Sequence, residues 1–371
     1  MALQHGVRNL IQSMAIREVP LTAFPGIRIG QVEDPEGGTG ITVVLSEDPQ
    51  GMPAGLSIGG GGPAARETGI LDPTAAAERI HAAVLGGGSA FGLDAAGGVM
   101  RYLEEKGIGV EVRGIRVPLV TQIDIFDLLV GNPARRPDQA MAYAACRASE
   151  PGMDEGQPGC GNYRDGCFGA GCGATVGKYA GIGHAMKSGI GACVLRQDDL
   201  LVGAIVAVNA FGDVYDWRTG QKVAGGYESG GRLYTGEEAL AFMRKEETES
   251  VPKQDEGAFN TTIGIVFTNA AFDKPRLCKI AAMAHDGLAR SVYPVHTSGD
   301  GDAIIALSVC GGSSRARRAD KEDREQVRAG MDVVGSLAAR AVSEAILRGV
   351  FSASPAFGLP SAAGTEGTVR P

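Results

Sequence analysis

Long apolar runs are missing from this 371-residue sequence. Glycine and polar residues interrupt every stretch before it reaches the roughly 18 to 20 apolar residues that span a bilayer as a helix, and the first twenty residues lack the apolar core of a secretory signal. Basic excess is missing too. The 35 Lys and Arg stand against 43 Asp and Glu, a formal charge of -8. That balance gives no electrostatic footprint for a phosphate backbone, and the one basic cluster, Arg315, Arg317 and Arg318, is followed at once by acids. The seven cysteines, an odd number, lack a regular disulfide spacing. No CxxC pair is present, so Cys160, Cys167 and Cys172, with His184 downstream, read as isolated thiols rather than zinc ligands. No phosphate loop of the GxxxxGK type and no well-placed GxGxxG occurs. The reading is a soluble protein of a reducing cytoplasm, with no nucleic-acid or membrane partner, no cofactor and no metal.

Glycine is abundant, at 57 residues. The clusters SIGGGGPAARETG and LGGGSAFG read as close chain packing, with some backbone donors lining a substrate pocket. The pattern is α/β: ITVVLSED, GLSIGGGG, IGVEV, LLVGAIVAVNAFGDVYD, TTIGIVFTNA and DAIIALSV read as strands. Helices are expected at Asp72 to Val84, Ser89 to Lys106, Pro137 to Cys146, Lys274 to Leu288 and Glu325 to Arg348. In the Ser89 helix, Gly92, Gly97 and Gly98 invite another element close. Residues 1–23, with Leu10, Ile11, Met14 and Ile16, read as a helix or loose arm before a domain of 24–350. Lys245 to Ala258 reads as an exposed charged linker, and 351–371 as a flexible tail.

Directly after that linker comes FNTTIGIVFTNA, where an amide residue precedes two threonines heading an apolar strand. A threonine hydroxyl is a weak nucleophile unless a base activates it, and its own α-amine serves once it is the first residue of a chain. That amine titrates near 7.7 to 8 when unperturbed. The motif therefore suits self-cleavage between Asn260 and Thr261; it also suits two ordinary strand threonines after a loop. Downstream, MAHDGLARSVYPVHTSGDGDAIIALSV sets Asp300 and Asp302 two apart at a strand edge, able to project to one side. They read either as a turn or as a carboxylate pair that holds an ammonium or orients a hydroxyl. His285 and His296 lack a GxSxG elbow and are expected to be structural, His296 orienting the loop that carries Asp300.

Together, FNTTIGIVFTNA and MAHDGLARSVYPVHTSGDGDAIIAL resemble the self-processing hydrolase family of the L-aminopeptidase/D-esterase, the β-peptidyl aminopeptidases and the nylon-oligomer hydrolase. The resemblance extends through GGGSAFGLDAAGGVMRYLEEKGIG, GAGCGATVGK and VAVNAFGDV, from about Phe24 to Arg348. It implies a single-domain α/β/β/α-type sandwich of an α chain ending at Asn260 and a β chain starting at the nucleophile Thr261. Asp300 and Asp302 fall on the acidic pair of the threonine branch. Lys178, in ATVGK, matches a cation beside the nucleophile, where it would lower the hydroxyl pKa or steady negative charge. Asn209, in AVNAFGD, matches an amide suited to an oxyanion hole. Phe126 stands where the nylon-oligomer enzyme has a tyrosine, and neighbouring Asp127 reads as a helix cap in preference to a polar site group. The resemblance further implies a homo-oligomer, a tetramer of cleaved units.

The expected function is hydrolysis of small amino-acyl amides, peptides or amino-acid oligomers bearing a free amino group. Acyl transfer of the ornithine acetyltransferase type and a non-enzymatic anion-binding role are the alternatives.

Overall fold

The computed structural model describes residues 15–151, 161–228, 231–249, 260–309 and 327–364. Two sheets carry the fold. The larger holds Arg17–Val19, Ile190–Gln197, Leu200–Asn209, Thr261–Thr268, Ala303–Ser308 and Ala54–Ile58, side by side in that order. The smaller runs Ile27–Asp34, Thr39–Ser46, Ala82–Gly86, Val120–Asp124 and Ala64–Arg66.

Strand alternation sorts side chains into three apolar layers. Ile263, Ile265 and Phe267 pack between the sheets against Ile29, Val44, Leu85 and Ile123. Val266, with Val202, Ala204 and Ile304, turns to the other face and meets the helices Lys274–Ser291 and Met331–Phe351. On the far side of the smaller sheet, Val43, Leu45 and Val84 meet Val99, Tyr102 and Leu103 of the helix Ala96–Glu105 and Ala142 and Ala145 of the helix Gln139–Ala148. The result is the helix, sheet, sheet, helix layering that the resemblance implied. Gly98 makes one contact possible: a Cβ there would lie 1.9 Å from the Gln139 carbonyl oxygen. The glycine lets the start of one helix rest on the other.

Several expectations change. The span Asp72 to Val84 is not a helix. Asp72 accepts the Thr74 N–H in a local turn, and the alanine-rich run becomes the buried strand Ala82–Gly86, central in its sheet. Alanine here reflects tight packing on both faces rather than helix propensity. The Ser89 segment starts as a 3-10 turn over Ser89–Ala95 before the α-helix. IGVEV contributes to a separate exposed hairpin, Val110–Val112 with Ile115–Val117.

In the N-terminal arm, Arg17–Val19 pairs with Ile190–Gln197 and forms the edge of the larger sheet; Leu10, Ile11 and Met14 lie outside the described residues. The expected linker begins inside the helix Gly236–Glu249, and its remainder falls outside them, as do Arg315, Arg317, Arg318 and Cys160. The segment after Phe351 is no free tail as far as it is described. It turns back so that Pro360 accepts the Lys187 N–H at 2.7 Å, and Ser361 and Ala362 are buried. No helix among the described residues is long and apolar enough to cross a membrane.

Candidate active site

Strand register assembles the site. Asn209, the last residue of its strand, pairs directly with Thr261, the first of the next. On the other side Asn260 bridges to Asp300 in parallel. Two neighbouring strand ends thus converge on one peptide bond, that between Asn260 and Thr261, and both residues are buried.

The Asn260 carbonyl oxygen receives two donors. The Thr261 hydroxyl donates to it at 2.6 Å, and the Gly301 backbone N–H donates from the same distance. Gly301 must be glycine to lie so close, since a Cβ there would fall 2.8 Å from the Thr261 hydroxyl oxygen and 2.8 Å from the Gly62 carbonyl.

Lys178 arrives from a short 3-10 turn after Gly177, whose φ of 75° is left-handed and whose missing Cβ leaves room for Gly226. Its ammonium donates to the carbonyls of Thr175 (3.1 Å) and Asn209 (2.9 Å) and to the Asn209 side-chain oxygen (2.8 Å). Burial drives the Lys178 pKa down to about 7, against the attraction of Asp300, Asp302 and Asp127. Asn209 Oδ1 also accepts the Thr175 N–H, and its Nδ2 donates to the Phe126 carbonyl at 2.9 Å. The backbone of Phe126, rather than its ring, therefore anchors the amide.

The two acids are held differently. Asp300 accepts from the N–H and hydroxyl of Thr297. Burial, with the charge of Asp302 second, pushes its carboxyl up to about 6. Asp302 accepts the Thr262 N–H through Oδ1, and both the backbone N–H and Nδ1 of His296 through Oδ2. His296 therefore holds Asp302 directly, closing the 296–302 loop that carries Asp300. Asp127 is not the helix cap expected, since no helix starts there: its carboxylate accepts the Gly88 N–H and the Thr39 hydroxyl. Burial raises its carboxyl to about 6.

Thr261, Asn260, Lys178, Asn209 and the Asp300 and Asp302 pair thus occupy one neighbourhood, and a family model described as peptidase family S58 matches residues 20–362. The chain belongs to peptidase family S58. It is 35% identical to an uncharacterized aminopeptidase of Mycobacterium leprae, over 93% of each chain. It is 31% identical to the 6-aminohexanoate-oligomer endohydrolase of an Agromyces species, over 81% of this chain and 80% of that one. This S58 member is a hydrolase of amide bonds.

Among solved structures, a Burkholderia β-aminopeptidase superposes with a TM-score of 0.61 at 18% identity, over 95% of each chain. The L-aminopeptidase D-Ala-esterase/amidase of Ochrobactrum anthropi, a variant of the Ntn-hydrolase fold, gives 0.61 at 17%, over 90% of this chain and 86% of that one. The S58 chain shares that fold.

Sequence reasoning missed Gly301 and the grip of His296 on Asp302. The signal for the first was present, as the glycine between the two acids. The thiols Cys167 and Cys172 interact with backbone carbonyls, and the described residues contain no group of three His, Cys, Asp or Glu able to hold a metal.

Proposed function

We propose that Thr261 first cuts the chain at its own amino side and then serves as the N-terminal nucleophile for amide substrates. The observation that carries this reading is the Asn260 carbonyl, which has the hydroxyl of Thr261 on one side and the Gly301 N–H on its oxygen. Attack of the hydroxyl oxygen on the Asn260 carbonyl carbon breaks the C–N bond through a tetrahedral oxyanion that the Gly301 N–H steadies. The Thr261 nitrogen takes a proton and becomes a free amine, leaving Asn260 as an ester on the threonine oxygen. Water hydrolyses that ester, giving an α chain ending at Asn260 and a β chain starting at Thr261.

In turnover, a substrate carbonyl replaces that of Asn260. The freed amine accepts the hydroxyl proton and passes it to the leaving amine; water then releases the acyl group. Lys178 adds positive charge beside the reacting carbonyl, Asn209 fixes Lys178, and Asp300 with Asp302 orients the nucleophile and anchors a substrate ammonium. The substrates on this reading are small amino-acyl amides, short peptides or amino-acid oligomers with a free amino group. The cleaved units assemble as a homo-tetramer; light scattering at micromolar concentration showing one αβ unit would contradict that assembly.

The test of the substrate class is a panel of amino-acyl p-nitroanilides and 6-aminohexanoate oligomers, each free and N-acetylated. Turnover of the free members that disappears in Thr261→Ala supports the reading. Turnover confined to the acetylated members refutes the ammonium anchor.

A further inference from the structure

We propose that His296 is a positioning residue for the acidic pair: its ring N–H clamps Asp302 so that the carboxylate keeps hold of the strand at Thr262. This rests on the reading of Thr261 as nucleophile and adds to it a residue outside the reacting groups.

His296 Nδ1 lies 2.8 Å from Asp302 Oδ2, and the His296 backbone N–H reaches the same oxygen at 3.1 Å. A carboxylate oxygen only accepts, so Nδ1 carries the proton. With Oδ2 fixed from two directions, Oδ1 is left facing the Thr262 N–H at 2.7 Å. The peptide nitrogen so held belongs to the residue directly after Thr261. A rotation of the carboxylate would release it and let the first residues of the strand shift against the Asn260 carbonyl.

The fold goes to some expense for this arrangement. His296 adopts φ 56°, in the left-handed region that non-glycine residues seldom enter. In this conformation the residue offers both its N–H and its ring to one oxygen. His285, from the Lys274–Ser291 helix, packs edge to face on the His296 ring, with centroids 4.7 Å apart. His285 is in turn fixed by its Nε2 donating to the Ser57 carbonyl at 3.1 Å. Gly59 forms the floor, where a Cβ would stand 2.8 Å from His296 Nδ1 and 3.0 Å from His285 Cε1. The other ring nitrogen of His296, Nε2, is buried with no partner among the described residues. The one directed hydrogen bond of the ring is therefore the one to Asp302.

Backbone shape and the ring donor are separable by substitution. Asparagine and glycine both tolerate left-handed φ, but only asparagine places an N–H at the position of Nδ1. The full chain carrying His296→Asn or His296→Gly is compared with the natural protein for self-cleavage rate, and for kcat and KM on an amino-acyl p-nitroanilide. The expected result is asparagine within about threefold of the natural rates, with glycine slower by about tenfold or more both in self-cleavage, where no substrate is bound, and in kcat.

Where glycine lowers the melting temperature, His296→Asp replaces it, since it keeps the shape of asparagine and turns the donor into an acceptor. Equal rates for asparagine and for its donor-free counterpart, whether both natural or both impaired, overturn the proposal. A natural protein that is neither cut nor active refutes the Thr261 reading instead.

Discussion

Gly301 points its backbone N–H at the Asn260 carbonyl oxygen from 2.6 Å. One hydrogen bond therefore links the turn between the two acids to the bond expected to break. A donor already aimed at the oxygen needs no rearrangement as negative charge builds there, which is how a fixed N–H lowers a barrier.

Substituting Gly301 tests that link. Gly301→Ala keeps the N–H but forces a methyl group against the Thr261 hydroxyl and the Gly62 carbonyl, each 2.8 Å from where Cβ would stand. Self-cleavage should slow by about tenfold or more, since small displacements of a reacting group are costly. A time course on a denaturing gel measures it. Cleavage at the natural rate would remove Gly301 from the account.

Asp300 should trade stability for function. Its carboxyl is raised to about 6 from an ordinary 3.8, so the folded state binds the proton more tightly than the unfolded one. The stability associated with that proton is complete below pH 3.8 and is lost as pH climbs through 6. Asp300→Asn, in a Thr261→Ala background that keeps the chain whole, should therefore be more stable at pH 7.5 by on the order of 1 to 3 kcal/mol. The gain should shrink toward pH 4, as read by urea unfolding. A gain of the same size at both pH values would contradict the assignment.

The architecture was legible wherever a segment alternates or stays apolar at strand length, as in Thr261–Thr268 and Ala303–Ser308. It was illegible where alanine served tight sheet packing, as in Ala82–Gly86, because propensity points one way and tertiary burial the other. The candidate site residues were proposed from motifs, which report identity but not contact. His296 was visible as a histidine, yet its bond to Asp302 depends on a left-handed backbone that no periodicity announces. Phe126 drew notice for its ring, whereas its carbonyl holds Asn209.

Lys178 gives a pH test free of interference from the α-amine, because in the uncut chain that nitrogen is still a peptide. Burial sets the Lys178 pKa near its value of about 7, so its charge is present below that pH and lost above it. If the charge steadies the oxyanion, the self-cleavage rate falls as pH rises through about 7. In Lys178→Met this limb should vanish and the rate should drop by on the order of a hundredfold. A rate that instead rises through the same range would make the neutral amine a base toward the Thr261 hydroxyl.

Lys178 and Asn209 should also act as one unit, given the 2.8 Å bond between them. Asn209→Leu combined with Lys178→Met should cleave no more slowly than the worse single variant, within about threefold, because removing either group already disables the other. Losses that multiply in the double variant would show two independent contributions.

The central claim is the bond that breaks, and intact-mass spectrometry with N-terminal sequencing of the purified protein addresses it. The account predicts two chains, one ending at Asn260 and one whose sequence begins TTIGIVFTNA, and a single folded, inactive chain for Thr261→Ala. An active protein that remains uncut, or a folded Thr261→Ala chain that still cleaves at this bond, would contradict it.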